Sequence, residues 1–203
     1  MSIINVVGAK IWGGGEQYVY DICKQLQQRH RTAYILVDQS NEDMQSRYAQ
    51  VGYVMTANLY TLKGFLSVNA VAKQVKAQGI DTIVCHSGKY ILFCIALKQL
   101  TGAKLVFIKH NLVPGKTDIY HRWINAQVDA FVCVSKLVYD DLMTPAIKDT
   151  SKYHVVYNGI DPNRFRSFSD AVPMKYKVRT FGYSARITCL LYTSPSPRDM
   201  RRS

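Results

Sequence analysis

Apolar residues along this chain fall into short continuous runs, separated by stretches in which they recur every three or four positions. The runs at 3–7, 33–37, 51–55, 80–85, 105–108, 130–134 and 153–157 are rich in β-branched and aromatic residues and bounded by Gly, Asp, Asn or Ser. That predicts seven strands. Between them, Val19, Ile22, Cys23 and Leu26 share one helical face. Gly64 precedes a helix carrying Val68, Val71, Ala72 and Val75, which stops at Gly79. Tyr90 to Leu100 reads as an apolar helix closed by Thr101-Gly102, and Tyr120, Trp123 and Ile124 give a further face after a Pro114-Gly115 turn. A helix from Lys136 would bury Leu137, Val138 and Leu142 and break at Pro145, while the polar residues 39–50 read as a loop and a solvent-facing helix. Strands and helices alternate, and the strands are apolar throughout rather than on alternate residues. The expected fold is therefore α/β, a doubly wound parallel sheet covered on both faces with right-handed crossovers.

Composition narrows the function. A chain of 203 residues suggests one full domain and part of a second. No apolar run approaches the ~20 residues of a membrane-spanning helix, and the chain opens directly on a strand with no targeting pattern, so a cytoplasmic protein is expected. The five cysteines, Cys23, Cys85, Cys94, Cys133 and Cys189, lie singly in apolar segments and read as small buried hydrophobes. Neither CxxC nor HExxH occurs, so no metal held by protein ligands is expected. The formal charge of +12 implies an anionic partner. The basic residues are dispersed and no nucleic-acid-binding motif is present, which argues against specific nucleic-acid reading.

Chemistry concentrates where strands end. The first strand gives way to Trp12-Gly13-Gly14-Gly15-Glu16-Gln17, and a helix starts at once. A strand, a glycine turn and a helix N-terminus aim free backbone N–H groups at an anion, and glycine lets that ligand approach the main chain. His86, His110, Ser135 and Asn158 each follow a later strand. In an open parallel sheet all these positions fall on the carboxyl edge, where ligands bind. Five segments thus deliver polar or glycine residues to one rim.

Taken in order, Gly13-Gly14-Gly15-Glu16-Gln17, Asp81-Thr82-Ile83-Val84-Cys85-His86, Lys109-His110-Asn111, Asp129-Ala130-Phe131-Val132-Cys133-Val134-Ser135 and Tyr157-Asn158-Gly159-Ile160-Asp161-Pro162 resemble the N-terminal half of a family 4 glycosyltransferase of GT-B architecture. The resemblance spans residues 1 to about 166. It implies a Rossmann-like acceptor-side domain over 1–170, with 171–188 as a linker and the first strand of a donor-binding domain. It also implies metal-independent transfer of a sugar, with retention, from a nucleotide-sugar donor to a glycan or lipid-linked acceptor in cell-surface polysaccharide or lipopolysaccharide synthesis. No cofactor is implied beyond the nucleotide-sugar co-substrate. By the same resemblance His110 is the catalytic-centre histidine that meets the donor sugar. Gly14, Gly15, Glu16, His86, Asn111, Ser135, Lys136, Asn158 and Asp161 line the substrate cleft, and Arg186 matches an arginine that neutralises the donor phosphates.

After Arg186 the pattern stops. Cys189 to Ser203 has no periodicity, holds two prolines and a basic end, and looks like translated sequencing-adaptor read-through; it is treated as a non-native tail. The phosphate-binding lysine expected after Arg186 is missing, so the chain as it stands is expected to be inactive. Three other readings remain open. Asp38, ending the second strand, would suit a ribose-binding acid of a nucleotide-dependent oxidoreductase, although the loop lacks G-x-G-x-x-G. A nucleotide-sugar epimerase and a non-catalytic binding module share the architecture. Separately, Tyr60, Lys63, Phe65 and Leu66 together with the basic excess suggest a peripheral contact with an anionic membrane.

Overall fold

The structure, a computed structural model, describes residues 2–60, 62–143, 147 and 150–159, with the side chains of 62–65 excepted. These residues belong to the compact unit Met1–Gly159; the unit Ile160–Ser203 lies outside them. The expected segments 171–188 and 189–203, with Asp161 and Arg186, therefore fall outside the described residues.

Among the described residues seven strands form one parallel sheet: β1 (Ile3–Val7), β2 (Tyr34–Asp38), β3 (Tyr53–Ala57), β4 (Thr82–Cys85), β5 (Lys104–Lys109), β6 (Ala130–Cys133) and β7 (Tyr153–Val155). Their order is β3-β2-β1-β4-β5-β6-β7. The helices are α1 (Gly14–Gln28), α2 (Glu42–Tyr48), α3 (Leu62–Ala77), α4 (Ile91–Thr101), α5 (Ile119–Gln127) and α6 (Lys136–Leu142), with a 3₁₀ turn at Gly88–Tyr90. The predicted α/β, Rossmann-like doubly wound parallel sheet is the fold observed.

The direction of travel explains the two faces. From β1 the chain steps outward to β2 and β3, then returns past β1 to β4 and continues the other way. Because each crossover is right-handed, reversing the direction of stepping moves the helices to the opposite face. Two cores follow. Val19 and Cys23 of α1 and Met44 and Tyr48 of α2 pack with Val7, Ile35 and Val37 on one face. Val68, Val71 and Val75 of α3, Phe93, Cys94 and Leu97 of α4 and Ile124 of α5 pack with Ile4, Val6, Ile83, Leu105 and Phe131 on the other. Tyr48 is fully buried, and its hydroxyl donates to the Glu16 carbonyl at 2.9 Å, so its polar atom enters the core satisfied.

Side-chain caps set several helix ends. Asn41, Asp118 and Ser135 accept from the backbone N–H three residues on, opening α2, α5 and α6. Gly102 closes α4 in the left-handed region at φ 75°. After α1 that conformation falls to His30, at φ 54°, where glycine is the usual solution. Across the sheet, Asp129 Oδ2 accepts from Leu105 N at 2.7 Å and from Lys98 Nζ at 2.6 Å, which pins α4, β5 and the start of β6 together.

Four sequence expectations change in detail. The helix over 42–48 is not simply solvent-facing, because Met44 and Tyr48 are buried. Leu137 stands 65% exposed, since in the short α6 only Val138 and Leu142 reach the sheet. Ile22 and Leu26 are only partly covered, leaving Val19 and Cys23 as the fully buried pair of α1. The last strand ends at Val155 rather than Tyr157, and Val156 and Tyr157 are exposed. Cys23, Cys85, Cys94 and Cys133 are free and buried, as expected of small hydrophobes, while Cys189 lies outside the described residues.

Candidate functional site

β1 and β4 are neighbours in the sheet although the chain leaves them in opposite directions. Such a switch point opens a crevice at the carboxyl edge, because the connections after the two strands diverge. The glycine loop follows β1 and His86 follows β4, so the topology alone brings them together. Gly8 closes β1 tightly. A Cβ there would lie 2.8 Å from the Tyr60 hydroxyl and 2.8 Å from two Tyr90 ring carbons, so glycine is required for these rings to cover the strand end.

At the switch point a polar chain runs out of the core. Asn5, buried on β1 opposite Val84, places Oδ1 3.1 Å from His86 Nε2. His86 Nδ1 lies 3.0 Å from His110 Nε2. The Asn5 amide nitrogen faces Cys23 Sγ at 4.0 Å, which leaves the carbonyl oxygen for the imidazole. Oδ1 can only accept, so His86 carries its proton on Nε2. Its Nδ1 then presents a lone pair, and His110 must donate from Nε2. Burial and then the neighbouring His110 hold the His86 pKa down to about 3, and burial lowers that of His110. Both rings are therefore neutral near pH 7, and the chain leaves His110 Nδ1 as an acceptor with no partner among the described residues.

The two imidazoles stack with centroids 5.3 Å apart, and Tyr18 of α1 meets them edge-on at 6.2 Å and 5.2 Å. The α1 N-terminus completes the group. Gly13 is its extended N-cap, with no side chain to occupy the free N–H groups. A Cβ on Gly15 would lie 4.0 Å from His110 Cδ2, and one on Gly14 would meet nothing within 4 Å. Neither glycine has a left-handed φ. Packing and backbone would both admit alanine at Gly14, so the open space before α1 is not explained by the fold's own needs.

Thus Gly14, Gly15, His86 and His110 of the expected set form one cluster, with Glu16 in the first turn of α1 beside it. Asn111 follows His110 and is exposed. Ser135 and Lys136 lie one strand further along and are engaged locally. Ser135 Oγ caps α6 through Val138 N at 3.2 Å, and Lys136 Nζ donates to both Asp140 oxygens at 2.7 Å. Asn158 is exposed beyond β7. Sequence reasoning missed Asn5 and Tyr18. The signal for Asn5 was one amide inside Ile-Ile-Asn-Val-Val, whereas Tyr18 read only as part of an amphipathic helix.

Asp38 is not free for a ribose. Oδ1 accepts from Ser40 N at 3.0 Å and from the Ser40 hydroxyl, and Oδ2 accepts from Leu59 N at 2.9 Å, so both oxygens brace the turns after β2 and β3. Among the described residues no group of three or more His, Cys, Asp or Glu is placed to hold a metal, and no helix is long and apolar enough to cross a membrane.

Comparison with solved structures places this geometry in a known fold. A glycosyltransferase from Rickettsia africae matches with TM-score 0.72 at 19% identity, over 85% of this chain and 46% of that one. Anabaena Alr3699/HepE, solved in complex with UDP and glucose, matches with TM-score 0.63 at 19% identity over 84% and 48%. The UDP-GlcNAc 2-epimerase of Neisseria meningitidis, bound to UDP-GlcNAc, matches with TM-score 0.55 at 11% identity over 78% and 47%. At these identities the likeness is one of fold, and the chain spans less than half the length of each structure. No protein of curated function matches by sequence. The sequence profile of Glycosyltransferase Family 4, however, matches residues 12–164, which is most of the chain and includes the glycine loop and both histidines. This chain belongs to glycosyltransferase family 4.

Proposed function

We propose that the chain is the acceptor-side half of a retaining, metal-independent glycosyltransferase that moves a sugar from a nucleotide-sugar donor to a glycan or lipid-linked acceptor. The setting proposed is cell-surface polysaccharide or lipopolysaccharide synthesis. The observation that carries the reading is the Asn5–His86–His110 chain facing the open N-terminus of α1. A neutral His110 held with a bare Nδ1 accepts a hydrogen bond from a sugar hydroxyl, and it does not protonate the donor. The free N–H groups at Gly14 and Gly15 stabilise negative charge developing at the transferring sugar or its phosphates. Fixing the two reactants in line is the main contribution asked of this half. Ser135, Lys136, Asn111 and Asn158 would bear on the acceptor from further along the rim.

On this reading Asp161 lines the substrate cleft and Arg186 meets the donor phosphates, no cofactor is needed beyond the co-substrate, and the 203-residue chain lacks the lysine that would share the diphosphate with Arg186. It is therefore inactive alone. Contact with an anionic membrane belongs to the same proposal. Of the four residues expected to make it, Tyr60 is exposed and Leu66 stands 81% exposed on α3, while the side chains of Lys63 and Phe65 lie outside those described; Ile119, Tyr120 and Trp123, exposed on α5 beside Arg122, add further apolar surface that suits a peripheral protein meeting lipid-linked acceptors.

The test is nucleoside-diphosphate release from a panel of UDP- and GDP-sugars. It compares this chain with the product of its gene read onward through the codons after Arg186. Transfer only by the longer product, unchanged by EDTA and lost in His110→Ala, is expected. Sugar transfer by the 203-residue chain would overturn its inactivity. Chelator sensitivity would overturn metal independence, and an inverted anomer would overturn retention.

A further inference from the structure

The short helix α2 touches the chain on both sides of the glycine loop. At its N-terminus the Asn41 amide nitrogen donates to the Ala9 carbonyl at 2.9 Å and to the Lys10 carbonyl at 3.3 Å. At its other end Tyr48 and Arg47 close on Trp12. The Tyr48 ring centre lies 5.3 Å from that of Trp12, and the Arg47 guanidinium sits 5.0 Å over the same ring. The Tyr48 hydroxyl reaches past the loop to the Glu16 carbonyl in the first turn of α1. Residues 9, 10, 12 and 16 are thus all held from one helix, and Gly13, Gly14 and Gly15 fall inside the braced span.

Asn41 has two separable roles. Its Oδ1 accepts from Met44 N at 3.2 Å and caps α2, which Ser, Thr or Asp would do as well. Donating to two carbonyls from the same side chain requires the amide. Chemistry fixes which end is which, because the reverse would set oxygen against oxygen and N–H against N–H. The two carbonyls lie 32 and 31 residues away in sequence, so these bonds act on the loop and not on the helix that Asn41 opens. Ala9 is half-buried and Lys10 exposed, so water can replace the amide at these carbonyls, and the fold alone does not demand it.

We propose that Asn41 is a positioning residue for sugar transfer: its amide fixes the backbone ahead of Gly13 and so aims the free N–H groups of α1 at the donor. The inference rests on the glycosyltransferase reading. Asn41 acts through the loop and touches no substrate. Those N–H groups meet charge that develops as the donor bond breaks, so misaiming them lowers kcat more than it raises KM.

The experiment compares Asn41→Ser with Asn41→Ala. Serine keeps the cap and lacks the amide, whereas alanine lacks both. In the 203-residue chain the NMR amide shifts of Gly13, Gly14 and Gly15 should move in both variants, with alanine showing the lower urea midpoint of the two. In the longer gene product both variants should lose about tenfold or more in kcat, with the donor KM changed by less than about threefold. A purely structural role predicts instead that kcat follows the urea midpoint and falls in alanine alone, and that pattern would overturn the proposal. Unmoved glycine amides in Asn41→Ser would overturn it as well, since the loop would then not depend on the amide. A raised KM at constant kcat would make the loop a ground-state binding element and overturn the role in aiming the transition state. Moved glycine amides with no sugar transfer by the wild-type longer product would refute the proposed function and leave the latch standing.

Discussion

Asn5→Leu tests the central claim about the site. Leucine keeps the branched heavy-atom shape of asparagine, with bulkier ends, and removes the acceptor for His86 Nε2–H. If the proton stayed, a buried N–H would be stranded at a cost of about 1–3 kcal/mol. The cheaper response is for His86 to move its proton to Nδ1 and donate to His110. His110 Nε2 then becomes the acceptor, and its own proton moves to Nδ1. One buried hydrogen bond is lost net, about 1 kcal/mol, so the stability loss should fall between ~1 and ~3 kcal/mol. At an m-value of about 2 kcal/mol per molar, that lowers a urea midpoint by roughly half to one and a half molar. The deciding assay is long-range ¹H–¹⁵N correlation of the imidazoles near pH 7. The wild-type chain should show both His86 and His110 protonated on Nε2, and Asn5→Leu should show both on Nδ1. Asn5→Asp should keep the wild-type pattern and raise the His86 pKa, because a carboxylate favours the imidazolium. A wild-type His110 carrying its proton on Nδ1, or no change of pattern in Asn5→Leu, would refute the reasoning. Loss of stability alone would not rescue it.

Gly14→Ala should leave thermal stability within about 1 kcal/mol of wild type or slightly raise it, since alanine suits a helix better and meets no atom there. Nucleotide-sugar turnover by the longer gene product should nevertheless drop, and unimpaired turnover would show that no ligand approaches this loop. Acid should destabilise the fold through His86. Its folded pKa, near 3, lies below the unfolded value, so the unfolded chain binds the extra proton and stability falls as pH drops from about 6.5 toward 3. Denaturant midpoints across that range should show a shallower slope in His86→Gln. His30→Gly should stabilise by roughly 0.5–1 kcal/mol in thermal melts, because glycine adopts φ 54° without strain. Asp129→Ala should cost about 1–3 kcal/mol in urea, because it strands the Leu105 amide and leaves the Lys98 ammonium with only the Gln127 carbonyl; a cost near zero would mean solvent replaces the carboxylate.

The sheet could be read from sequence because its strands are buried on both faces. A run such as Ile83-Val84-Cys85 has no polar member to obscure it, and the helices between carry their own period. Exposure of short elements was harder to read. Leu137 obeys a helical pattern, but α6 has only two turns and cannot bury a wide face. The rim was legible in outline, since a parallel sheet puts every strand-to-helix connection on one edge. Which rim residues touch was not, because that depends on strand order. His86 and His110 meet because β4 and β5 are neighbours, and Asn5 reaches His86 because β1 sits beside β4 after a detour of two strands. Nothing local to Asn5 encodes that neighbour. The engagement of Asp38 by Ser40 and Leu59 was hidden for the same reason.

The two cores differ in how they draw on the chain, and this bears on how the protein is made. Every buried member of the α1–α2 core lies between Val7 and Val51. A ribosome emitting the chain from its N-terminus supplies that layer complete, with β1, β2 and β3 already in register. Its contacts are local in sequence, so it should form early and quickly. Ile4, Val6, Leu36 and Met55 point the other way and wait for residues as distant as Leu105 and Tyr153. Until α3 and β4 arrive, the nascent sheet presents a bare apolar face and an unpaired β1 edge, the kind of surface on which chains associate wrongly. Among the interior strands β1, whose place beside β4 builds the ligand crevice in the finished fold, is thus also the one that waits longest for its second partner during synthesis.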